Sequence, residues 1–258
     1  EVFGPNNFVA AFIWQKVDSP SDNKTAVVAD HEYVYCYAKD VGKAKLRAKP
    51  DPGILDAYRL SDEQGRLYRD RLLKKSGKNS LRVDRPSMFF PVIAPDGSEV
   101  LPVHDDGREA RWALGKDGVQ RLVEAGELIW KEQPDPNGAG KRWRPYTREY
   151  APDNPTRPWP TIWTDLPTTR QTKAHHRRMF PGRTVFDTPK PEELLARILS
   201  IGTDPGDIVL DFFSGSGTTA AVAHKMGRRW IAVERSEDTI GSFTLPRLRM
   251  VVGGEDSG

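Results

Sequence analysis

A glycine-rich turn near the end of the chain carries the residues with the clearest chemical meaning. In DIVLDFFSGSGTTAAVAHK, Asp211 ends an apolar run, and Gly215 and Gly217 precede a helix-like stretch. Glycine lets a backbone approach a ligand closely, because it has no Cβ and tolerates positive φ. Glu234 lies 17 residues beyond Gly217, where the dinucleotide fingerprint places an acid that binds a ribose. The spacing therefore predicts a nucleoside-binding site.

Two kinds of ligand fit this turn. GSGTTA matches the pattern G-x-G-x-x-G/A of NAD- and FAD-binding turns, although tight turns that bind no ligand also match it. A carboxylate at Asp211 would lie near the pyrophosphate of a dinucleotide and repel it. The same carboxylate would attract the α-amino group of S-adenosylmethionine, whose sulfonium is also positive. The charges favour S-adenosylmethionine, and an NAD- or FAD-dependent oxidoreductase is the alternative.

The turn lies within a predicted βαβ unit. DIVLD and RRWIAVE are short apolar strands, and the helix TTAAVAHKM between them ends near Gly227. A preceding helix, TPKPEELLARILSIG, has Pro191 in its first turn, ends at Gly202 and has an apolar face formed by Leu194, Leu195, Ile198 and Leu199. Only 24 residues follow Glu234, so we expect further strands of the sheet to come from earlier sequence.

Two strands predicted near the start of the chain would complete that sheet. Residues 8–16 are apolar and β-prone, whereas VDSPSDNKT after them is typical of a polar loop. HEYVYCYAKD alternates, which places four side chains on one face of a strand, namely His31, Tyr33, Tyr35 and Tyr37. This order puts the substrate half of the protein first and the cofactor half last.

The sequence between these two parts has a different composition and predicts an inserted α+β module over residues 45–165. GRLYRDRLLKKSGKNSLRVDR is rich in Arg and Lys, and RPSMFF, KRWRPY and RPWPTIW interleave basic with aromatic residues. Pro95, Asp96 and Gly97 lie between two apolar runs, which predicts a hairpin. A short helix, KDGVQRLVEAGE, would end at Gly126 before the strand ELIWK, with its inward face formed by Val119, Leu122 and Val123.

Composition limits the class of protein. Apolar residues make up 37% and charged residues 29% of the 258, which is typical of a globular protein. No apolar run approaches the ~20 residues of a membrane span, so we expect no membrane association. The single cysteine, Cys36, excludes an internal disulfide and predicts a cytoplasmic location. The net charge of +3 neither requires nor excludes nucleic acid.

Several segments resemble the permuted (beta-class) DNA amino-methyltransferases, in which the catalytic half precedes the cofactor half. They are FGPNNFVAAFIWQK, HEYVYCYAKD, FDTPKPEELLARIL, DIVLDFFSGSGTTAAVAHKMGRRWIAVE and, more loosely, DEQGRLYRDRL through LIWKE. Within that class the chain is most similar to the modification (Mod) subunits of type III restriction–modification systems. The resemblance covers most of the chain and implies an α/β fold. That fold is a Rossmann-like sheet of the S-adenosylmethionine-dependent methyltransferases, with an inserted α+β target-recognition module.

The resemblance also implies roles for parts of the chain. Residues 1–44 would belong to the substrate side, 45–165 to target recognition and 166–258 to the cofactor side. The implied cofactor-binding residues are Asp211, Phe212, Phe213, Gly215, Gly217, Thr218, Thr219, Glu234, Thr188, Pro189 and Lys190. Simpler explanations exist for some of them: a helix start for the proline and lysine, helix capping for threonines 218 and 219, and plain core for the phenylalanines.

The activity that the resemblance implies is methyl transfer to an exocyclic amine of DNA, with adenine-N6 favoured over cytosine-N4. That amine is a poor nucleophile, because its lone pair is delocalised into the ring. The family uses an Asp-Pro-Pro-Tyr-type tetrapeptide that accepts the amine's hydrogens and stacks on the flipped base. The tetrapeptide does not occur in this chain. We therefore expect a fragment whose catalytic motif lies upstream of Glu1, and which is inactive alone.

The remaining site predictions concern the target base and the DNA. The base-pocket candidates are Tyr33, Tyr35 and Lys16, with the DSPSDNK loop that follows. An aromatic core strand and a solvated loop explain the same residues equally well. The predicted DNA-binding patch is Arg66, Arg69, Arg71, Lys74, Lys75 and Arg85, which would neutralise phosphates unless it is only a solvated face.

The resemblance implies double-stranded DNA as a partner, and it points to a helicase–nuclease restriction subunit and to a second copy of the chain as further ones. No metal site is expected. A third interpretation is a non-catalytic DNA-binding remnant that kept the fold and lost the site. An Asp-Pro-Pro-Tyr-type motif encoded ahead of Glu1 would distinguish an enzyme fragment from such a remnant.

Overall fold

The structure is a computed structural model of the 258-residue chain and describes residues 2–19, 26–135, 138, 140–182, 184 and 186–256. Its strands are β1 (Phe8–Gln15), β2 (His31–Tyr37), β3 (Lys49–Pro50), β4 (Leu60–Ser61), β5 (Leu67–Leu72), β6 (Val92–Ile93), β7 (Glu99–Val100), β8 (Leu128–Pro134), β9 (Lys141–Tyr150), β10 (Thr156–Arg157), β11 (Ile162–Trp163), β12 (Ile208–Asp211) and β13 (Arg229–Ala232).

The helices are α1 (Lys116–Glu124), α2 (Thr169–Met179), α3 (Glu192–Gly202), α4 (Thr218–Lys225), α5 (Glu237–Thr239) and α6 (Leu245–Val252). A π-helical turn (Ile240–Thr244) joins α5 to α6. Short 3₁₀ turns lie at Pro5–Asn7, Pro52–Ala57, Arg82–Asp84 and Pro86–Met88. None of the helices in the described ranges is both long and apolar enough to span a bilayer.

The chain forms two compact units. Unit 1 comprises Glu1–Lys49 and Arg157–Gly258, and unit 2 comprises Pro50–Thr156. Unit 2 falls within the module predicted over residues 45–165. It begins five residues later and ends nine residues earlier than that prediction. The functional roles given to the three sequence segments stay predictions.

The first half of unit 1 is a three-stranded sheet in the order β11-β1-β2. β1 and β2 pair antiparallel, and β1 and β11 pair in parallel. The inner face of β1 buries Phe12 and Trp14, and the ring of Phe12 stacks on that of Trp163 with centroids 4.6 Å apart. Both strands predicted near the start of the chain are confirmed.

The second half of unit 1 is the predicted βαβ unit. β12 and β13 pair in parallel from Ile208 opposite Arg229 to Asp211 opposite Ala232, and α4 connects them. α3 packs on both halves, because Leu194 and Ile201 join the core of the first sheet while Leu199 packs against Val222 of α4. α3 therefore fixes the glycine turn relative to β1.

The strands of unit 1 form two sheets instead of the single sheet that we expected. Among the described residues, β12 pairs only with β13. A strand has two hydrogen-bonding edges, and both edges of β1 are taken, one by β2 and the other by β11. β1 therefore cannot also pair with β12, and the contact between the two halves is made by helix α3.

Unit 2 is built on a four-stranded antiparallel sheet in the order β4-β5-β9-β8. Its core packs Leu73, Phe90, Val92, Trp112 and Val119 together. The hairpin predicted at residues 95–97 is confirmed as β6 and β7, and the predicted helix is α1. The inward orientation predicted for Val123 is wrong, since this side chain is 51% exposed. α1 is only nine residues long, and its core side is already filled by Val119 and Leu122.

Candidate functional site

The glycine turn follows β12 and has a backbone that only glycine adopts without strain. Gly215 has φ +50° and Gly217 has φ +77°, a region that costs other L-residues about 1–2 kcal/mol. A Cβ on Gly215 would lie 3.1 Å from the Cζ of Phe186, and one on Gly217 would lie 3.4 Å from the Cγ2 of Thr244. The turn is thus packed from behind by Phe186 and Thr244.

Thr244 holds the turn from the π-helical segment. Its hydroxyl donates a hydrogen bond of 2.7 Å to the carbonyl of Gly215. A π-helical turn inserts one extra residue into a helix and is frequent at functional sites. Here it brings a buried threonine of the C-terminal helix against the glycine backbone.

A buried ion network holds the start of α4. Arg247 is 2% exposed and donates hydrogen bonds of 2.8 Å to the hydroxyl of Thr218 and of 2.6 Å to Glu192. Glu192 also accepts two hydrogen bonds from Lys225. The hydroxyl of Thr218 therefore lies beneath the turn, and its contact with a cofactor stays a prediction.

The same network includes a cluster that could geometrically hold a metal ion. His175, Glu192 and Asp256 each offer one ligand atom, all within 4.8 Å of one another. Lys225 contacts both carboxylates of this cluster, at 2.8 Å from Glu192 and 3.1 Å from Asp256. Ammonium and guanidinium groups thus supply positive charge where a metal would have to bind, and we propose no metal site.

Asp211 lies at the carboxyl end of β12, the edge at which open α/β sheets bind ligands. One oxygen, Oδ1, accepts a 2.9 Å hydrogen bond from the backbone N–H of Phe213. The second oxygen accepts no hydrogen bond from the described residues and can face a cation. Phe212 and Phe213 are 63% and 91% exposed, so the plain-core explanation of these rings is wrong.

Glu234 follows β13, the neighbouring parallel strand, and its carboxylate spans the turn. Oε2 accepts from the N–H of Gly215 at 2.9 Å and Oε1 from that of Ser236 at 3.0 Å. These backbone hydrogen bonds, from Ser236 and then Gly215, lower the pKa of Glu234. Each oxygen keeps a lone pair for a ribose hydroxyl. The residue predicted to bind ribose thus also orders the turn.

A cavity of about 560 Å³ opens beside Glu234. Apolar side chains line it, namely Trp230, Ala232, Ile240, Leu245, Leu248 and Val252. The buried hydroxyl of Ser214 also lines it and has no hydrogen-bond partner among the described residues. An apolar cavity with a few polar groups is typical of small-molecule sites, and this one is large enough for a nucleoside.

Lys190 and Lys16, predicted for the cofactor and base sides, share one carboxylate. The ammonium of Lys190 lies 2.6 Å from Oε2 of Glu32, and that of Lys16 lies 3.5 Å from Oε1. Burial raises the pKa of Glu32, but the hydrogen bonds and charges of Lys190 and Lys16 outweigh it and lower the pKa overall. Pro189 is buried beside this pair and Thr188 is exposed. Glu32 was not among the residues predicted from the sequence, although a carboxylate on the core-facing side of β2 is a recognisable signal.

The tyrosines of β2 form an exposed ladder. Tyr33 and Tyr35 are 53% and 62% exposed, and their rings stack with centroids 5.7 Å apart. The alternative of an aromatic core strand is wrong for this face. Of the adjoining loop, residues 20–24 lie outside the described residues. A base-stacking role for either tyrosine stays a prediction.

The predicted DNA patch does not form one free basic surface in unit 2. Arg66 pairs with Asp62, whereas Arg69 and Arg71 both pair with Glu149. Lys74 is largely buried, donates to the carbonyl of Val103, and has a pKa that burial lowers. In the described part of the chain, only Lys75 and Arg85 of this set are without a carboxylate or carbonyl partner for their side chains.

His176 provides a pH test of the packing behind the turn. Its ring is 2% exposed, contacts Phe180 and Phe243, and burial followed by the charges of Arg247 and His175 lowers its pKa to about 4. The folded protein therefore keeps His176 neutral, while the unfolded chain binds a proton below about pH 6.5. The stability that neutral His176 contributes is complete above that pH and is lost as the pH falls toward 4.

Between pH 7 and pH 5, we expect His176 to account for about 2 kcal/mol of lost unfolding free energy. Urea unfolding at the two pH values measures it. In His176→Phe this part of the pH dependence should disappear, whereas His224→Phe, at an exposed position on α4, should behave as wild type. An equal loss in wild type and His176→Phe would contradict the assignment.

The geometry defines a class of protein. Acids at the carboxyl ends of two adjacent parallel strands, with a glycine turn leading into a helix between them, are typical of a Rossmann-like nucleoside-binding unit. The family described as DNA methylase (N6_N4_Mtase) matches residues 1–243. The chain belongs to this DNA methylase family. The match does not favour the NAD- or FAD-dependent oxidoreductase.

Named relatives agree with that family. The chain is 29% identical over 235 residues to the type II methyltransferase M.KpnI of Klebsiella pneumoniae, covering 86% of this chain and 53% of that protein. It is 31% identical over 242 residues to the Mod subunit of the type III restriction-modification enzyme EcoPI of Escherichia phage P1, covering 87% and 36%. The chain thus spans about half or less of the length of these relatives.

Solved structures show a lower sequence identity to the chain than these relatives do. A DNA modification methylase of Thermus thermophilus, TTHA0409, described as putative and complexed with S-adenosyl-L-methionine, is 22% identical, covering 55% of this chain and 63% of that one, with a TM-score of 0.28. At this TM-score the superposition adds no detail to the fold. The assignment to the family rests on the sequence match.

Proposed function

We propose that the chain is part of an S-adenosylmethionine-dependent DNA amino-methyltransferase, the modification subunit of a restriction–modification system. The observation that carries the proposal is the carboxylate of Asp211 at the carboxyl end of β12, beside a turn whose backbone only glycine adopts without strain. Membership of the DNA methylase family supports the reaction type. Similarity to a type III Mod subunit supports its place in a restriction–modification system.

The residues fit the cofactor. Asp211 would bind the α-amino group through the oxygen that accepts no hydrogen bond from the described residues, and Glu234 would bind the ribose hydroxyls. The cavity, with the Ser214 hydroxyl that has no partner in that part of the chain, would bind an uncharged part of the nucleoside. Thr188, Pro189 and Lys190 would close over the methionine end. When bound, S-adenosylmethionine supplies an electrophilic methyl group. The chain's own residues hold and orient it, and the negative charges of Asp211 and Glu234 match a cationic ligand.

The target side of the proposed site is formed by residues of β2 and of the segment after β1. Lys16 and the exposed Tyr33 and Tyr35 would contact the flipped base, and the proposed target is adenine-N6 in preference to cytosine-N4. Unit 2 would read double-stranded DNA. A helicase–nuclease restriction subunit and a second copy of the chain are the further partners that this setting implies.

Duplex DNA binding tests the DNA side of the proposal. We expect the chain to bind duplex DNA with an affinity that falls with salt, because lysines and arginines release counterions from phosphates. The slope of log affinity against log salt is negative. Replacing Lys75 and Arg85 together by glutamine should make it less steep by about 1.8, if each contacts one phosphate.

Fluorescence anisotropy on a labelled duplex, over a range of salt concentrations, measures this slope. The matched control is Arg82→Gln, because Arg82 is a nearby arginine that is ion-paired to Glu109. An unchanged slope in the double variant would remove the patch from the proposal. No binding of duplex DNA by the wild type would remove the DNA role of unit 2.

A further inference from the structure

One face of the sheet in unit 2 combines aromatic rings with cations. Residues directly opposite each other in paired strands share a face. Tyr68 is opposite Tyr150 and Asp70 is opposite Arg148 in β5 and β9, and Lys131 is opposite Arg144 in β8 and β9. By the alternation of each strand, Gln133, Arg142 and Tyr146 lie on the same face.

Three cations lie over tyrosine rings of this face. The guanidinium of Arg148 lies 4.2 Å from the ring centroid of Tyr68, and that of Arg66 lies 4.3 Å from the centroid of Tyr150. The ammonium of Lys131 lies 4.8 Å from the centroid of Tyr146. A cation held over a ring keeps its N–H donors, because the contact is to the π face.

Arg148 differs from the other cations of this face. Lys131 pairs with Asp70 at 2.6 Å, Arg66 with Asp62 at 2.8 Å, and Arg142 and Arg144 share Asp105. Within the described ranges, Arg148 forms no short ion pair with a carboxylate. A hydrogen bond to Tyr150 raises the pKa of its guanidinium, and the charge of Asp70, directly opposite, adds to this effect. Its side chain is half-buried and fixed by Tyr68, so it loses little freedom when it binds a ligand. An ordered arginine without a carboxylate partner suits an anionic or acceptor-rich ligand.

The shape of the sheet suits a groove of DNA. β5 pairs with residues 146–150 of β9, whereas β8 pairs with residues 141–147, so the far part of the β8–β9 hairpin is a two-stranded ribbon. A two-stranded antiparallel ribbon fits the major groove of B-DNA, and Arg148 lies next to this ribbon, in the part of β9 that also pairs with β5. Arginine and glutamine, both present on this face, are the side chains that form bidentate hydrogen bonds to guanine and adenine there.

We propose that the Tyr68–Arg148–Tyr150 face of unit 2 is the sequence-reading surface for double-stranded DNA, with Arg148 as a specificity-determining residue that contacts a base edge. This inference rests on the proposed function, since it assigns the DNA contact to one face of the recognition unit. It differs from the predicted basic patch, whose Arg69 and Arg71 lie on the opposite face and are neutralised by Glu149.

Selection from a pool of duplexes with a randomised centre tests the proposal without knowledge of the target sequence. The wild-type chain should enrich a motif, and Arg148→Met should lose the preference at one or two guanine-bearing positions. Its affinity for the wild-type motif should fall by about 5- to 100-fold, the range for one bidentate base contact. Thermal unfolding of each variant verifies that it folds.

The matched control is Arg69→Met. Arg69 also lies over a tyrosine ring, 4.7 Å from the centroid of Tyr58, but on the opposite face and paired with Glu149. It should enrich the wild-type motif with unchanged affinity. The same motif and affinity for Arg148→Met would overturn the proposal, as would the absence of duplex binding by the wild type. In either case, retained S-adenosylmethionine binding would show that the cofactor part of the proposed function stands.

Discussion

The 258-residue chain alone is expected to transfer no methyl group to DNA. In the family, oxygen acceptors take the hydrogens of the exocyclic amine and an aromatic ring holds the flipped base, which makes the amine nucleophilic. The Asp-Pro-Pro-Tyr-type tetrapeptide that supplies these groups in the family does not occur in the sequence. Tritiated S-adenosylmethionine, incubated with duplex or single-stranded DNA, should give counts equal to those of a control without protein.

The same samples should still bind the cofactor, which separates a missing catalytic motif from a misfolded chain. Transfer above the control would show that another group activates the amine, and that the prediction from the missing motif is wrong. Sequencing of the coding region ahead of Glu1 extends the test. An in-frame Asp-Pro-Pro-Tyr-type motif there would make the chain a fragment of an active enzyme, and its absence would favour the non-catalytic remnant.

Replacing Asp211 by asparagine is expected to weaken S-adenosylhomocysteine binding by about 10- to 100-fold, the loss typical of a hydrogen bond to a charged group. Asparagine keeps the oxygen that accepts from the N–H of Phe213, so the turn should keep its shape. Only the negative charge facing the α-amino group is removed. Isothermal titration calorimetry of wild type and variant measures the ratio.

Two controls sharpen this prediction. Methylthioadenosine has no α-amino group, so its affinity should be the same for wild type and Asp211→Asn. Asp238→Asn removes an exposed carboxylate in the short helix α5 and should leave both ligands unaffected. Equal loss of methylthioadenosine binding in Asp211→Asn would mean that the substitution distorts the turn, and the assigned contact to the amino group would be unsupported.

The local elements of the site were predictable because their signals lie within short stretches. The run IVLD, the glycines and the helix TTAAVAHK predict β12, the turn and α4, and the alternation of HEYVYCY predicts β2 with its tyrosine face. Glycine at 215 and 217 is required by positive φ, and the sequence pattern contains that requirement. The acids at the strand ends follow from the same pattern.

The support behind the turn was not predictable, because it depends on long-range contacts. Arg247 and Thr244 reach Thr218 and Gly215 from 29 residues further along the chain. α2 has no apolar periodicity in TRQTKAHHRRM, and the helix of 237–252 is interrupted by a π-helical turn. A partial signal existed, since Thr244, Arg247, Leu248 and Val251 recur at helical spacing and all are buried.

The separation of unit 1 into two sheets and the loss of the basic patch share another cause. Pairing of strands and pairing of charges are both decided by neighbours that are distant in sequence. β11, only two residues long, takes an edge of β1, and Glu149 neutralises two arginines of the predicted patch. Composition alone shows the arginines but not their partners.

The central claim is that the carboxylate of Asp211 faces a cationic methyl donor and no diphosphate. Parallel calorimetric titrations of the chain with S-adenosylmethionine and with NAD⁺ test it most directly. We predict saturable binding of S-adenosylmethionine with one site per chain and no heat of binding for NAD⁺. Binding of NAD⁺ or FAD in that pocket, or no binding of S-adenosylmethionine, would contradict the account.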